Sequence, residues 1–226
     1  ALGCILAAGD RADPPAVDLT ELPQTEERRA SYDDPLARLA RIDVAYHIPE
    51  SLTADHDALS VLATILSSGR SSRLYQAIVR DTQLGVNVGA FAVSNRGPSL
   101  FRLVSIAAPG ADIGALETAI YNQIERIKVE PVEDWELAKA RNGARRSFVA
   151  SLGSSLQRAI ILSRYALFYD NPSLINSRAE RVGAVSAEDL RRVARTYLIE
   201  TNRSVIITVP KPASAPMDQV PGQENF

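Results

Sequence analysis

Between residues 39 and 48 the chain alternates, with Ile42, Val44, Tyr46 and Ile48 on one side and Arg41, Asp43 and His47 on the other. That is the period of a half-buried strand, and Pro49 ends it. The period then lengthens. Leu59, Leu62, Ala63, Ile65 and Leu66 recur at helical spacing up to Ser67, behind Thr53 or Asp55 as the capping residue. Residues 84–93 and 100–108 predict two antiparallel strands joined by the polar turn Ser94-Asn95-Arg96-Gly97-Pro98-Ser99. Ile113, Leu116, Ile120, Ile124 and Ile127 predict a long amphipathic helix, closed by Pro131.

The next predicted helix opens on Glu133, Asp134 and Glu136 and carries Arg141, Arg145 and Arg146 later, as the helix dipole favours. It is expected to turn Trp135, Leu137, Ala140, Ala144 and Phe148 inward. Residues 154–169 predict another, ended by Asp170-Asn171-Pro172, and a shorter one covers residues 172–181. Ser186 and Asp189 fit a capping box, with Val185 stapled onto Leu190, for a helix running to about Leu198. Residues 204–209 alternate as a last strand. Upstream, residues 10–30 are rich in Pro, Asp, Glu and Thr and predict a surface linker, and Tyr32-Asp33-Asp34-Pro35 predicts a turn. Beyond Pro210 the Pro, Ala and Gln content predicts a disordered tail. The expected fold is α+β, a mainly antiparallel sheet with helices packed on one face.

One junction organises the rest. Gly69-Arg70-Ser71-Ser72 is a turn that starts a helix, with Ser71 or Ser72 as cap and Leu74, Ala77 and Ile78 as its apolar stripe, and Gly85 permits the exit into a strand. This stretch, Gly69-Arg70-Ser71-Ser72-Arg73-Leu74-Tyr75 followed by Gln83-Leu84-Gly85, resembles the second, non-catalytic domain of the insulinase or pitrilysin-type zinc metallopeptidases, which include the mitochondrial processing peptidases. Glu136-Leu137-Ala138-Lys139-Ala140 and Val185-Ser186-Ala187-Glu188-Asp189-Leu190 are similar to two further family signatures. Leu2-Gly3 and Ala7-Ala8-Gly9 look like the end of the family's first domain, and Leu22-Pro23-Gln24-Thr25 with Arg28-Arg29 like its interdomain linker. The resemblance thus divides the chain into 1–30, the end of a preceding domain and linker, 31–210, one copy of a duplicated domain, and 211–226, a tail.

Composition narrows the alternatives. The 226 residues are 46% hydrophobic and 23% charged, enough for one well-buried domain, and the net charge of −2 leaves no electrostatic footprint for nucleic acid. No apolar run is long enough to span a bilayer. A single cysteine, Cys4, excludes an internal disulfide and leaves compartment open between periplasm and cytoplasm. Arginine far outnumbers lysine, present only as Lys128, Lys139 and Lys211, as a bacterial source with a GC-rich genome would give.

Candidate chemistry is sparse. The resemblance implies that zinc sits in a missing N-terminal catalytic half, held by two imidazoles of His-x-x-Glu-His and a distal Glu, whose motif Glu activates water. No cofactor is expected in this chain, because its two histidines, His47 and His56, lack that spacing. Ser71 and Ser72 lack the elbow and the His-Asp partners of a nucleophile. Many relatives carry an Arg and a Tyr that help hold substrate near the metal. Aligned on Gln83-Leu84-Gly85, their places are taken by Val79 and Val86. Arg80, one residue away, is the substrate-binding candidate, although neighbours on a helix point ~100° apart. The expected function is therefore the non-catalytic C-terminal half of a zinc peptidase, enclosing a peptide chamber and supporting the catalytic half. The expected partners are that catalytic domain, peptide substrate, and a related subunit in a homo- or heterodimer. The alternatives are a structural relative without activity and a stand-alone peptide-binding module that pairs through a sheet edge.

Overall fold

The computed structural model describes residues 18–211. Cys4, the predicted end of a preceding domain and the predicted tail after Lys211 lie outside the described residues. Five strands form one sheet: β1 (Arg28–Asp34), β2 (Arg41–Ile48), β3 (Gly85–Ala92), β4 (Ser99–Ala107) and β5 (Arg203–Pro210), in the order β1-β5-β2-β4-β3. All neighbours are antiparallel except β1 and β5, which run parallel with Arg28 opposite Ser204. The α+β sheet expected from the alternation is present, with its four expected strands together.

The residues now forming β1 do not make the turn expected at Tyr32-Asp33-Asp34-Pro35. They extend beside β5, and the chain turns only after Asp34. The strand was invisible because it is polar and lies at the sheet edge, where little of either face is covered. Arg29 anchors it by forking onto Glu117, which also accepts from the Tyr121 hydroxyl at 2.6 Å. Burial works against the Glu117 charge, but the Arg29 guanidinium and the Tyr121 hydroxyl together outweigh it and hold the carboxyl below the ordinary range.

Helices α1 (Ala54–Ser67), α2 (Ile113–Val129), α3 (Asp134–Leu152), α4 (Ser155–Tyr169), α5 (Leu174–Ala184) and α6 (Ala187–Tyr197) follow the expected spans closely. Thr53 is the cap of α1, accepting from the His56 amide, and Ser186 and Asp189 form the α6 capping box. Asp55, the other candidate cap, instead receives Arg192 at 2.7 Å and the Tyr197 hydroxyl at 2.6 Å, which binds α1 to α6.

The core lies between one sheet face and α1, α2 and α6. Ile42, Val44, Tyr46, Phe101, Leu103 and Val205 from the sheet meet Leu59, Leu62, Leu66, Leu116, Ile120, Leu190 and Val193 from the helices, all buried. Each such side chain contributes roughly 1.5–3 kcal/mol of transfer free energy. Trp135, expected inward, is 55% exposed. Leu137 and Ala140 set the inner face of α3, and Trp135 precedes Leu137 by two residues, ~200° around the helix.

Candidate functional site

The junction that organises the sequence is built differently from its expected form. After α1, Gly69 takes φ 79°, a left-handed turn open to glycine, and Ser72 closes it by donating to the Gly69 carbonyl at 2.7 Å. Neither Ser71 nor Ser72 caps the following helix, which lacks a side-chain cap. Ser71 Oγ instead accepts from Lys139 Nζ at 2.7 Å, and the same ammonium donates to the Ser68 carbonyl at 3.1 Å. Lys139 is exposed and donates to both oxygens, so the pair is a clamp on the turn rather than a nucleophile with its base.

Beneath it Arg73 forks onto Glu136, Nε to Oε1 at 2.8 Å and Nη2 to Oε2 at 2.6 Å, with side chains 12% and 8% exposed. Glu136 also accepts from the Glu133 amide at 3.0 Å, completing the α3 capping box. Burial opposes its charge, yet the Arg73 fork and that amide keep the carboxyl below its ordinary value. This pair joins the Gly69-Arg70-Ser71-Ser72-Arg73-Leu74 turn to the Glu136-Leu137-Ala138-Lys139-Ala140 stretch of α3. In the sequence Glu136 reads as a helix-dipole acid and as the first residue of the Glu136-Leu137-Ala138-Lys139-Ala140 signature, not as the partner of Arg73. The available signal was a carboxylate at the third helical position, three residues after a capping Glu. Beside the pair opens a cavity of about 410 Å³, lined by Ser68, Ser71, Trp135, Lys139, Asn142 and Arg146 among others.

The helix carrying Arg80 is a π-helix, Tyr75–Asp81. Val79 packs against the core, while Arg80 reaches solvent with its side chain 67% exposed, bonded to Gln76 Oε1 at 2.5 Å and 3.7 Å from Asp81. Gly85 is not the left-handed exit residue, since Gln83 takes that role with φ 53°. Gly85 is needed for closeness: a Cβ there would stand 2.8 Å from Ile78 Cγ2 and 2.9 Å from Ser105 Oγ. The histidines are not brought together as a site. His47 pairs with Glu21 at 3.1 Å at the surface, and buried His56 donates from Nε2 to the Val93 carbonyl at 2.9 Å. Among the described residues no group of three or more His, Cys, Asp or Glu is placed to hold a metal ion.

The second surface of interest is the sheet face turned away from the helices. It carries Ala45, Val104, Ile106 and Ile206, with Phe91 56% and Tyr32 59% exposed at its margins. Asp43 lies at its centre, neutralised by Arg41 at 2.6 Å and Arg102 at 2.9 Å. β3 is an edge strand beside this face. Apolar side chains, paired charges and a strand edge can together hold an extended peptide, through backbone pairing and alternate side-chain contacts. No helix of the described residues is long and apolar enough to cross a membrane.

The sequence model described as the peptidase M16 inactive domain matches residues 6–144. The chain is 24% identical over 169 residues to the zinc protease PqqE of Helicobacter pylori, covering 75% of this chain and 38% of the relative. It superposes on a protease from Helicobacter pylori with TM-score 0.81 at 23% identity, over 90% of this chain and 49% of that one, a likeness of fold. It also superposes on the inactive peptidase domain of a zinc protease from Bordetella parapertussis, with TM-score 0.71 and 26% identity, over 84% of this chain and 98% of that one. The chain therefore spans half or less of the length of its Helicobacter relatives.

Proposed function

The chain belongs to the peptidase M16 inactive-domain family, and on that premise we propose that it is the non-catalytic half of a zinc peptidase, its open sheet face forming one wall of a peptide chamber. The observation that supports this reading is that face itself, apolar and charge-paired, with Phe91 56% and Ile206 45% exposed on it, and bordered by the β3 edge. Zinc and its activated water belong to the other half, and this half contributes surface. Metal analysis and peptide-cleavage assays test the division. The purified chain is expected to retain no stoichiometric zinc and to cleave nothing, whereas the complete protein carries about one zinc per chain and loses cleavage on chelation. Cleavage by this chain that survives repurification would overturn the assignment.

In the same reading Arg80 lies at the chamber margin as a substrate-contacting guanidinium rather than a group aimed at the reacting atoms, since it is exposed and held only by Gln76 and Asp81. Arg80→Ala in the complete protein is expected to lower kcat/KM by no more than about tenfold and to leave the melting temperature unchanged. A loss beyond about a hundredfold, the scale of a transition-state donor, would show instead that Arg80 acts on the reaction centre.

A further inference from the structure

Residues 141–169 form most of α3 and all of α4, and only Tyr165 among them is buried. The exposure is not that of an ordinary surface helix. Leu156, Ile160 and Leu167 are 68%, 43% and 76% exposed. At 100° per residue they fall within ~40° of one another, on the side of α4 ~180° from Tyr165. A helix covering a core turns its apolar stripe inward, whereas α4 turns one outward as well. The charge is equally one-sided. From Leu137 to Tyr169 the chain carries Lys139, Arg141, Arg145, Arg146, Arg158 and Arg164 and no carboxylate. The four of these that are held are held by carbonyl or hydroxyl oxygens of Ser68, Ser71, Val185, Ser155 and Ser94.

We propose that the α3–α4 arm is the surface through which this domain docks onto the other half of its own protein, its outward stripe entering an apolar trough rimmed by carboxylates. Two observations select that occupant. The Helicobacter protease that superposes on 90% of this chain is about twice as long, this chain accounting for 49% of it, so a domain of this shape is joined there to about as much chain again. A second copy of the chain, docked by the same surface in two-fold fashion, would bring the cationic arm against itself, and like charges juxtaposed at an interface cost several kcal/mol. The inference rests on the two-half reading above but makes a separate claim about which surface is used.

Amide hydrogen exchange across residues 155–167, compared between this chain alone and the complete protein, tests it. Exchange is expected to slow by at least about tenfold in the complete protein. Leu156→Glu with Leu167→Glu is expected to restore fast exchange there, while leaving the melting temperature of this chain alone unchanged because both side chains are mostly exposed. Equal exchange rates in the two proteins, with zinc and cleavage present in the complete one, overturn the arm and spare the functional reading. Slowed exchange in a complete protein without zinc or cleavage overturns the functional reading and spares the arm. Protection of this chain alone that grows with its own concentration assigns the surface to self-association. Protection that arises only on anionic lipid vesicles assigns it to a membrane. Either of these last results also overturns the proposal.

Discussion

Glu136→Ala is expected to destabilise the domain by about 3 kcal/mol, because removing one partner of a buried ion pair strands the other. Arg73 is 12% exposed and its Nη1 already lacks a partner, and Glu136 is the carboxylate its guanidinium is bonded to, so the change leaves a mostly buried cation without its ion pair. Urea unfolding would show the midpoint fall with the slope unchanged. The neighbouring Glu133→Ala, at an exposed position, should cost ~1 kcal/mol, the worth of a helix cap. Joint replacement by Arg73→Met and Glu136→Leu should recover most of the loss, since two well-packed apolar groups replace a buried pair at little net cost. A double variant no more stable than Glu136→Ala would mean that the pair contributes through geometry rather than charge.

The same pair sets an acid limb. The carboxyls of Glu136 and Glu117 lie below their ordinary value of 4.5 in the folded protein, so the folded state binds fewer protons than the unfolded one near that pH. Their contribution is complete above pH 4.5 and is lost as pH falls through the lowered folded values. Unfolding followed on acidification should therefore steepen below 4.5, and Glu136→Ala should flatten part of that slope.

Gly85→Ala is the second large effect, expected at about 2 kcal/mol, the usual scale of overpacking. The added methyl would meet Ile78 Cγ2 at 2.8 Å, Ser105 Oγ at 2.9 Å and the Ile106 carbonyl at 3.3 Å. Ile78 is fully buried and its branch cannot rotate away, and the carbonyl belongs to β4 beside it. Adding Ile78→Leu, which moves the branch point outward, should return part of the loss in thermal unfolding. A Gly85→Ala protein with unchanged melting temperature would show that β3 can shift freely at its first residue.

What could be read beforehand divides along sequence distance. The β2 alternation, the α1 stripe, the β3–β4 hairpin and the Ser186 capping box are signals local in the chain, the hairpin of residues 85–107 being the longest, and the structure keeps each. β1 failed because its partner β5 lies far along the chain and its own side chains are polar, so nothing local distinguishes it from a linker. Glu136 and Arg73 were each legible as a helix-start acid and a motif cation, but their burial depends on α3 crossing the Gly69 turn. Trp135 was placed inward on hydrophobicity alone, although its angular position on α3 opposes Leu137. The π-helix has no signature in composition: its Ile78 and Val79 are apolar residues that pack into the core as those of an ordinary helix would.

The parallel pairing of β1 with β5 also determines how the domain bears load. The chain enters the sheet at Arg28 and leaves it at Pro210, and these points lie at opposite ends of two adjacent strands running the same way. Tension between entry and exit therefore slides the strands along each other and strains every rung from Arg28–Ser204 to Asp34–Pro210 together. An antiparallel pair held at one end would open rung by rung. A pull applied across those two points therefore meets the whole seam at once rather than its first rung.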